Sequence, residues 1–188
     1  MEETEDEEIG SLYSVEVVID ANTLNKIRSK ENECDFFFIF WLSSQETKAV
    51  IPKNSWSEFH KAIKESLKNM EETYKGVMGF YRGIVTPYRT KYAEEAGIKL
   101  SEEEKKGDGV ENDEASSIAK IVNRHYATVR YLIVEDPKIY IKMREERKLR
   151  INPENITTLD GFYELIATKD SNCASEFKNI YGRTLIPV

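Results

Sequence analysis

Short apolar runs rich in β-branched residues alternate along this chain with stretches whose apolar positions recur at helical spacing. Val15 to Ile19 (V-E-V-V-I) predicts a buried strand that ends at Asp20. Asp20-Ala21-Asn22-Thr23 then offers several helix N-cap residue types ahead of Leu24, Lys26, Ile27 and Arg28. Phe36 to Leu42 is apolar on every face; propensity favours a strand, a buried helix fits equally, and periodicity does not decide. Ala49-Val50-Ile51 before Pro52 is a short strand and stop, and Trp56, Phe59, Ile63 and Leu67 mark an amphipathic helix. Tyr74, Val77, Met78, Tyr81 and Ile84 predict a second helix that Pro87 ends or kinks, with helix resuming over Tyr92 to Ala96.

The polar stretch from Ser101 to Asp113, with Gly107, Asp108 and Gly109 at its centre, predicts a mobile loop. Helix resumes with Ala115, Ile118, Ala119, Ile121 and Val122, and Val129 to Val134 is a clear strand running into Glu135-Asp136-Pro137. A basic helix from Lys138 to about Lys148, a short strand near Ile156-Thr157 and a helix over roughly Leu159 to Thr168 complete the pattern. Strands alternating with helices in this order predict the α/β class: a three-layer αβα sandwich around a mostly parallel central sheet. In such sheets ligands bind beyond the carboxyl ends of the strands, at a topological switch point.

At 188 residues one domain is the default. The expected division is an acidic disordered tail over residues 1–12 and a single domain over 13–188, with a helical and loop insertion around 71–112 and a short C-terminal extension. Six of the acids behind the formal charge of −7 lie in the tail (Glu2, Glu3, Glu5, Asp6, Glu7 and Glu8), so the body is close to neutral and net charge does not exclude nucleic acid. No apolar run approaches the roughly 20 residues of a membrane span. Cys34 and Cys173 form no metal-spaced or redox pair, which suits a reducing, cytoplasmic setting.

Acids accumulate where the predicted strands end. Asp20 closes the first strand, Glu58 lies one helical turn past the second, Asp113 and Glu114 open the helix before Val129 to Val134, and Glu135 and Asp136 follow it. Each has an ordinary reading: Asp20 and Asp113 as helix N-caps, Glu58 as a solvated helical residue, Asp136 as a strand-to-turn ending before Pro137. Their joint order along one sheet edge is the informative feature. Carboxylates packed together repel unless cations neutralise them, and Mg²⁺ or Mn²⁺ with oxygen ligands are the natural partners. Two such ions can activate a water and stabilise the leaving oxygen in phosphodiester cleavage.

With these motifs the chain resembles the PIN-domain nuclease family: V-V-I-D-A-N-T-L at 17–24, V-I-P-K-N-S-W-S-E-F at 50–59, N-D-E-A-S-S-I-A-K-I at 112–121, L-I-V-E-D-P-K-I at 132–139 and I-T-T-L-D-G-F-Y-E-L at 156–165. The resemblance spans nearly all of residues 15–168. It implies a PIN-like sandwich and a metal-dependent endoribonuclease whose four acids are Asp20, Glu58, Asp113 and Asp136, as catalytic residues and as metal ligands. Asn22, Glu114, Glu135 and Asp160 would support them. Asp160 competes with Asp136 for the fourth place; Asp136 is preferred because it follows the stronger strand.

Lys138, Lys142, Arg144, Arg147 and Lys148 are candidate phosphate contacts, also readable as a solvated helix face, and Arg82 and Arg89 among tyrosines are further candidates in a segment whose rings can equally pack between helices. His60 and His125 lack metal spacing and read as structural. The expected partner is RNA, single-stranded or structured, with a protein inhibitor or antitoxin and a homodimer as further partners and no membrane. Two rival functions remain open: a PIN-like binding or scaffold module with incomplete metal ligation, and a structure-selective DNA nuclease. The geometric expectation is that Asp20, Glu58, Asp113 and Asp136 share one cleft; Asp160 taking the place of Asp136 would change the fourth acid.

Overall fold

The five predicted or emergent strands lie side by side in one sheet, and their order explains where a ligand can bind. The structure is a computed structural model that describes residues 15–29, 33–88, 110–124, 127 and 129–184. In chain order, strand β1 (Val15–Ile19) is followed by helices α1 (Ala21–Ser29) and α2 (Glu33–Ser44), then β2 (Ala49–Pro52). Helices α3 (Lys53–Ser66) and α4 (Glu71–Ile84) lead to β3 (Val85–Tyr88). Helix α5 (Val110–Arg124), β4 (Val129–Ile133), α6 (Pro137–Glu145), a 3₁₀ turn (Pro153–Asn155), β5 (Ile156–Thr157), α7 (Leu159–Lys169) and α8 (Ser171–Thr184) complete the described elements.

All pairings are parallel, in the order β3-β2-β1-β4-β5. The chain builds outward from β1 through β2 to β3, then returns to the other side of β1 for β4 and β5. The reversal makes the crevice between β1 and β4 the switch point. Right-handed crossovers put helices from the two directions of travel on opposite faces, and the two cores agree. Val17 and Ile19 of β1, with Tyr131 and Ile133 of β4, face Leu24, Phe37, Trp41, Phe59 and Phe162 on one side. Val18, Leu132 and Val134 face Ile118, Ile121, Val122, Ile139 and Met143 on the other. The α/β sandwich expected from the sequence is therefore present.

The undecided run Phe36 to Leu42 is helical, within α2. Its lack of periodicity has a packing cause. Phe37, Phe38, Trp41 and Leu42 are fully or almost fully buried. Trp41 meets Phe162 of α7 at 4.9 Å between ring centroids, while Phe37 and Phe40 meet Phe177 of α8 at 5.2 Å and 5.5 Å. A helix sandwiched between the sheet and two further helices needs apolar residues around most of its circumference.

Some expectations change, and others fall outside the described residues. Residues 71–88, read as part of an insertion, supply α4 and the edge strand β3; Pro87 is tolerated there because an edge strand need not donate every N–H. The helix around Tyr92–Ala96, most of the loop over 101–113 and the tail over 1–12 lie outside the described residues, although α5 already begins at Val110. The C-terminal extension is the full helix α8, started by Asp170, whose Oδ1 accepts from Cys173 N at 3.0 Å. Its stripe of Cys173, Ala174 and Phe177 is buried.

The β1–β4 register pairs Glu16 with Arg130. Arg130 Nε donates to Glu16 Oε1 at 3.0 Å, and its guanidinium also donates to the carbonyls of Val122 and Arg150. The Arg130 side chain is 6% exposed and that of Glu16 12%, so neither charge has much recourse to water. Arg130→Met is expected to cost about 3–5 kcal/mol in denaturant unfolding, because it removes the guanidinium that neutralises the nearly buried Glu16 carboxylate. Pairing it with Glu16→Leu is expected to recover part of that loss; a double variant no better than the single would refute the charge explanation.

Candidate functional site

Asp20 is fully buried at the carboxyl end of β1, the first residue of the β1–β4 crevice. It makes hydrogen bonds on two sides. As the residue before α1 it caps that helix: Oδ1 accepts from Thr23 N at 2.9 Å and from the Thr23 hydroxyl at 2.5 Å. Across the crevice, Oδ1 also accepts from Glu135 N at 3.3 Å and Oδ2 from Asp136 N at 3.0 Å. The Thr23 hydroxyl lies 3.1 Å from the carbonyl of Ile133, tying α1 to the end of β4. Burial raises the Asp20 pKa, and these four donors only partly offset it.

Glu114, half-buried in α5, is the second member. Its Oε1 accepts from Ala21 N at 2.8 Å, directly beside Asp20. Burial raises its pKa most; Asp20 and Glu58 raise it further, while Ala21 N–H and Ser55 lower it. Glu58, exposed on α3, is thus the third carboxylate of this group. The expectation named Asp113 as the α5 acid and Glu114 as its support. Glu114 stands beside Asp20; the side chain of Asp113 lies outside the described residues.

Asp136 sits next to Asp20 through its backbone, but its carboxylate has another task. Oδ1 accepts from Lys138 N at 2.8 Å and Ile139 N at 3.3 Å, so Asp136 caps α6. Its ordinary reading as a strand-to-turn ending therefore describes the bonds it makes. Asp160 does not replace it. Lys26 Nζ stands 3.6 Å from Asp160 Oδ1 and 3.6 Å from Glu135 Oε1, and Glu135 Oε1 also accepts from Leu159 N at 2.7 Å. The edge consequently carries two acid groups: Asp20, Glu114 and Glu58 on the β2 side, and Glu135 and Asp160 around Lys26 on the β5 side. Asn22 is exposed on the first turn of α1.

The donors of the first group are all hard oxygens, the set that suits Mg²⁺ or Mn²⁺. Ser55 adds to the fit. Its side chain is 2% exposed and near enough to Glu114 to favour the ionised carboxylate, yet Oγ makes no hydrogen bond among the described residues. Among those residues no three acids, imidazoles or thiols already surround one point. Mg²⁺ commonly takes one or two carboxylates and keeps its remaining waters, and Asp20 with Glu114 supplies that much.

Of the basic candidates, Lys138, Lys142, Arg147 and Lys148 are exposed on α6 and the turn after it. Arg144 is partly committed: it donates to the carbonyl of Ile156 at 3.2 Å and lies over the Tyr140 ring. Arg82 is exposed on α4, and Arg89 lies outside the described residues. His60 bonds the Tyr74 hydroxyl and stacks on Trp56, a structural role joining α3 to α4; His125 is outside the described residues. No described helix is long and apolar enough to cross a membrane. Sequence reading missed Thr23, Ser55 and Lys26. Thr23 had a local signal, three residues after a candidate N-cap, and Ser55 precedes Glu58 by three, one helical turn. The fold and site define an open parallel α/β protein with an acidic crevice at its switch point. Comparison with protein-family models, with curated proteins and with solved structures returned no match.

Since burial places the folded-state pKa values of Asp20 and Glu114 above their unfolded values, their contribution favours the fold in acid and is lost as pH rises through the raised values. Glu114→Gln keeps an oxygen for Ala21 N–H and removes the charge. In EDTA at neutral pH it is expected to melt higher than the parent, by about 2–4 °C for each kcal/mol relieved. The gap should close as the pH is lowered into the ordinary carboxylate range, about 4. Thermal melts across pH check this; a parent that melts higher throughout would contradict it.

Proposed function

We propose that this chain is a Mg²⁺- or Mn²⁺-dependent, PIN-like nuclease that hydrolyses phosphodiester bonds, with RNA as its substrate. The observation that carries the reading is the buried Asp20 carboxylate with the half-buried Glu114 carboxylate beside it at the switch point, the charged forms of both disfavoured. Nothing in the described fold neutralises them as Lys26 neutralises Glu135 and Asp160, so a bound cation is the balancing charge the site calls for. When bound, the metal would lower the pKa of a water and offset charge on the phosphoryl oxygens. The chain's own contribution is rigidity: four donors fix the Asp20 carboxylate, and Ala21 N–H fixes that of Glu114. Exposed Glu58 stands at the mouth, where it can orient a water or substrate group. Lys138 and Lys142, exposed on the helix that follows Asp136, would hold the phosphate backbone of RNA.

One observation favours a second reading. Asp136 spends Oδ1 on the α6 cap, which suits a PIN-like binding module whose metal ligation is incomplete. The two readings part on metal-dependent turnover. With Mn²⁺, the parent is expected to cleave a mixed single-stranded RNA pool and to stop in EDTA. Glu114→Gln and Asp20→Asn should each lower the rate by about 100-fold or more while RNA still binds. A flap-DNA substrate run in parallel reports on the DNA alternative. Cleavage that survives EDTA or both substitutions would end the metal-nuclease reading. An uncleaved pool, with melting unchanged by millimolar Mn²⁺, would favour the binding module.

A further inference from the structure

The second acid group at the sheet edge already contains a cation of its own. Lys26 lies six residues after Asp20 on α1, about 9 Å farther along the helix axis. Its Nζ is equidistant, at 3.6 Å, from Glu135 Oε1 and Asp160 Oδ1. The Lys26 side chain is 30% exposed and that of Glu135 15%, so water screens this pair only in part, whereas Asp160, at 59%, is the more open partner. Asp35 of α2, itself buried, acts on the same ammonium. Burial works against the charged lysine, but Glu135, Asp160 and Asp35 outweigh it and raise the pKa. Lys26 therefore keeps its charge at neutral pH.

Glu135 divides the two groups. Its backbone N–H holds Asp20, whereas its side chain takes Lys26 and Leu159 N. A divalent ion between Glu135 and Asp160 would have to displace the ammonium against its attraction to those carboxylates. We propose that Lys26 is a resident cation that fills the second acid group, so that the chain takes one divalent ion, on the Asp20–Glu114 side, where two acid groups would otherwise accept two. This rests on the metal-dependent reading for the first ion but not for the role of Lys26. An ammonium neutralises charge and donates hydrogen bonds, but it cannot polarise a bound water as a divalent ion does. Lys26 is accordingly a positioning residue, holding α1, β4 and the start of α7 together beside the crevice.

The test counts bound Mn²⁺ per chain by electron paramagnetic resonance and equilibrium dialysis, alongside metal-free and Mn²⁺-loaded melting. The parent is expected to bind one ion. Lys26→Met should melt lower in EDTA, bind one ion more than the parent, and recover melting temperature with Mn²⁺ beyond the parent's own gain. Lys26→Arg keeps the charge and should bind as the parent does. Lys26→Met with Asp160→Asn should lose the added ion, which separates a new site from a loosened fold. Two ions in the parent, or the same count in parent and Lys26→Met, would overturn the proposal; so would a Lys26→Met chain that fails to fold while Lys26→Arg binds an added ion. If the parent binds none and Lys26→Met binds one, the Lys26 assignment stands and the metal-nuclease reading falls.

Discussion

The parallel pairing of β1 with β4 is the constraint on which the candidate site depends. Five successive Cα partners, from Val15 with Val129 to Ile19 with Ile133, bring the next residues of both strands to the same level. Asp20 then meets the peptide N–H groups of Glu135 and Asp136 as a consequence of register. A slip of one residue would turn every side chain to the opposite face, moving Asp20 off those donors and Val17 and Ile19 out of their core. The buried Glu16–Arg130 pair lies in the same register and resists such a slip from the other end of the strands. Site geometry and strand packing are therefore one arrangement.

The sheet edge shows how a fold can crowd acids without distributing their charge evenly. On one side, backbone donors steady Asp20 and Glu114 without cancelling their charge, and burial keeps the ionised forms costly. On the other, Lys26 meets Glu135 and Asp160 directly. The difference lies in the kind of partner: peptide N–H groups orient a carboxylate, whereas an ammonium neutralises it. Asp136 follows a third course and serves the backbone of α6. Carboxylates that look equivalent as strand-end acids thus acquire different roles through the groups that reach them.

Much of the architecture was legible because buried parallel strands need continuous β-branched runs. Val15–Ile19 and Val129–Val134 announce themselves, and the order of strands and helices implies a three-layer sandwich. Asp20 was legible too, since a strand ending in an acid before N-cap residues is a local pattern. The helical state of Phe36–Leu42 was not, because α7 and α8 cover α2 on the side that would otherwise be polar. Strand β3 was also hidden: Pro87 interrupts a run of only four residues, and the strand gains its pairing from β2.

By itself the sequence determined the class of fold, the central strands and the gathering of acids at one edge, for these follow from local pattern and chain order. Tertiary structure alone decided which acids meet. The seating of α5 against the start of α1 gives Glu114 the contact with Ala21 N–H. Asp136 and Asp160 were rivals on paper; helix capping engages one, and Lys26 engages the other. Lys26 itself carries no sequence signal, because the two carboxylates it bridges, Glu135 and Asp160, lie more than 100 residues away along the chain and reach it only once β4, β5 and α7 have taken their places.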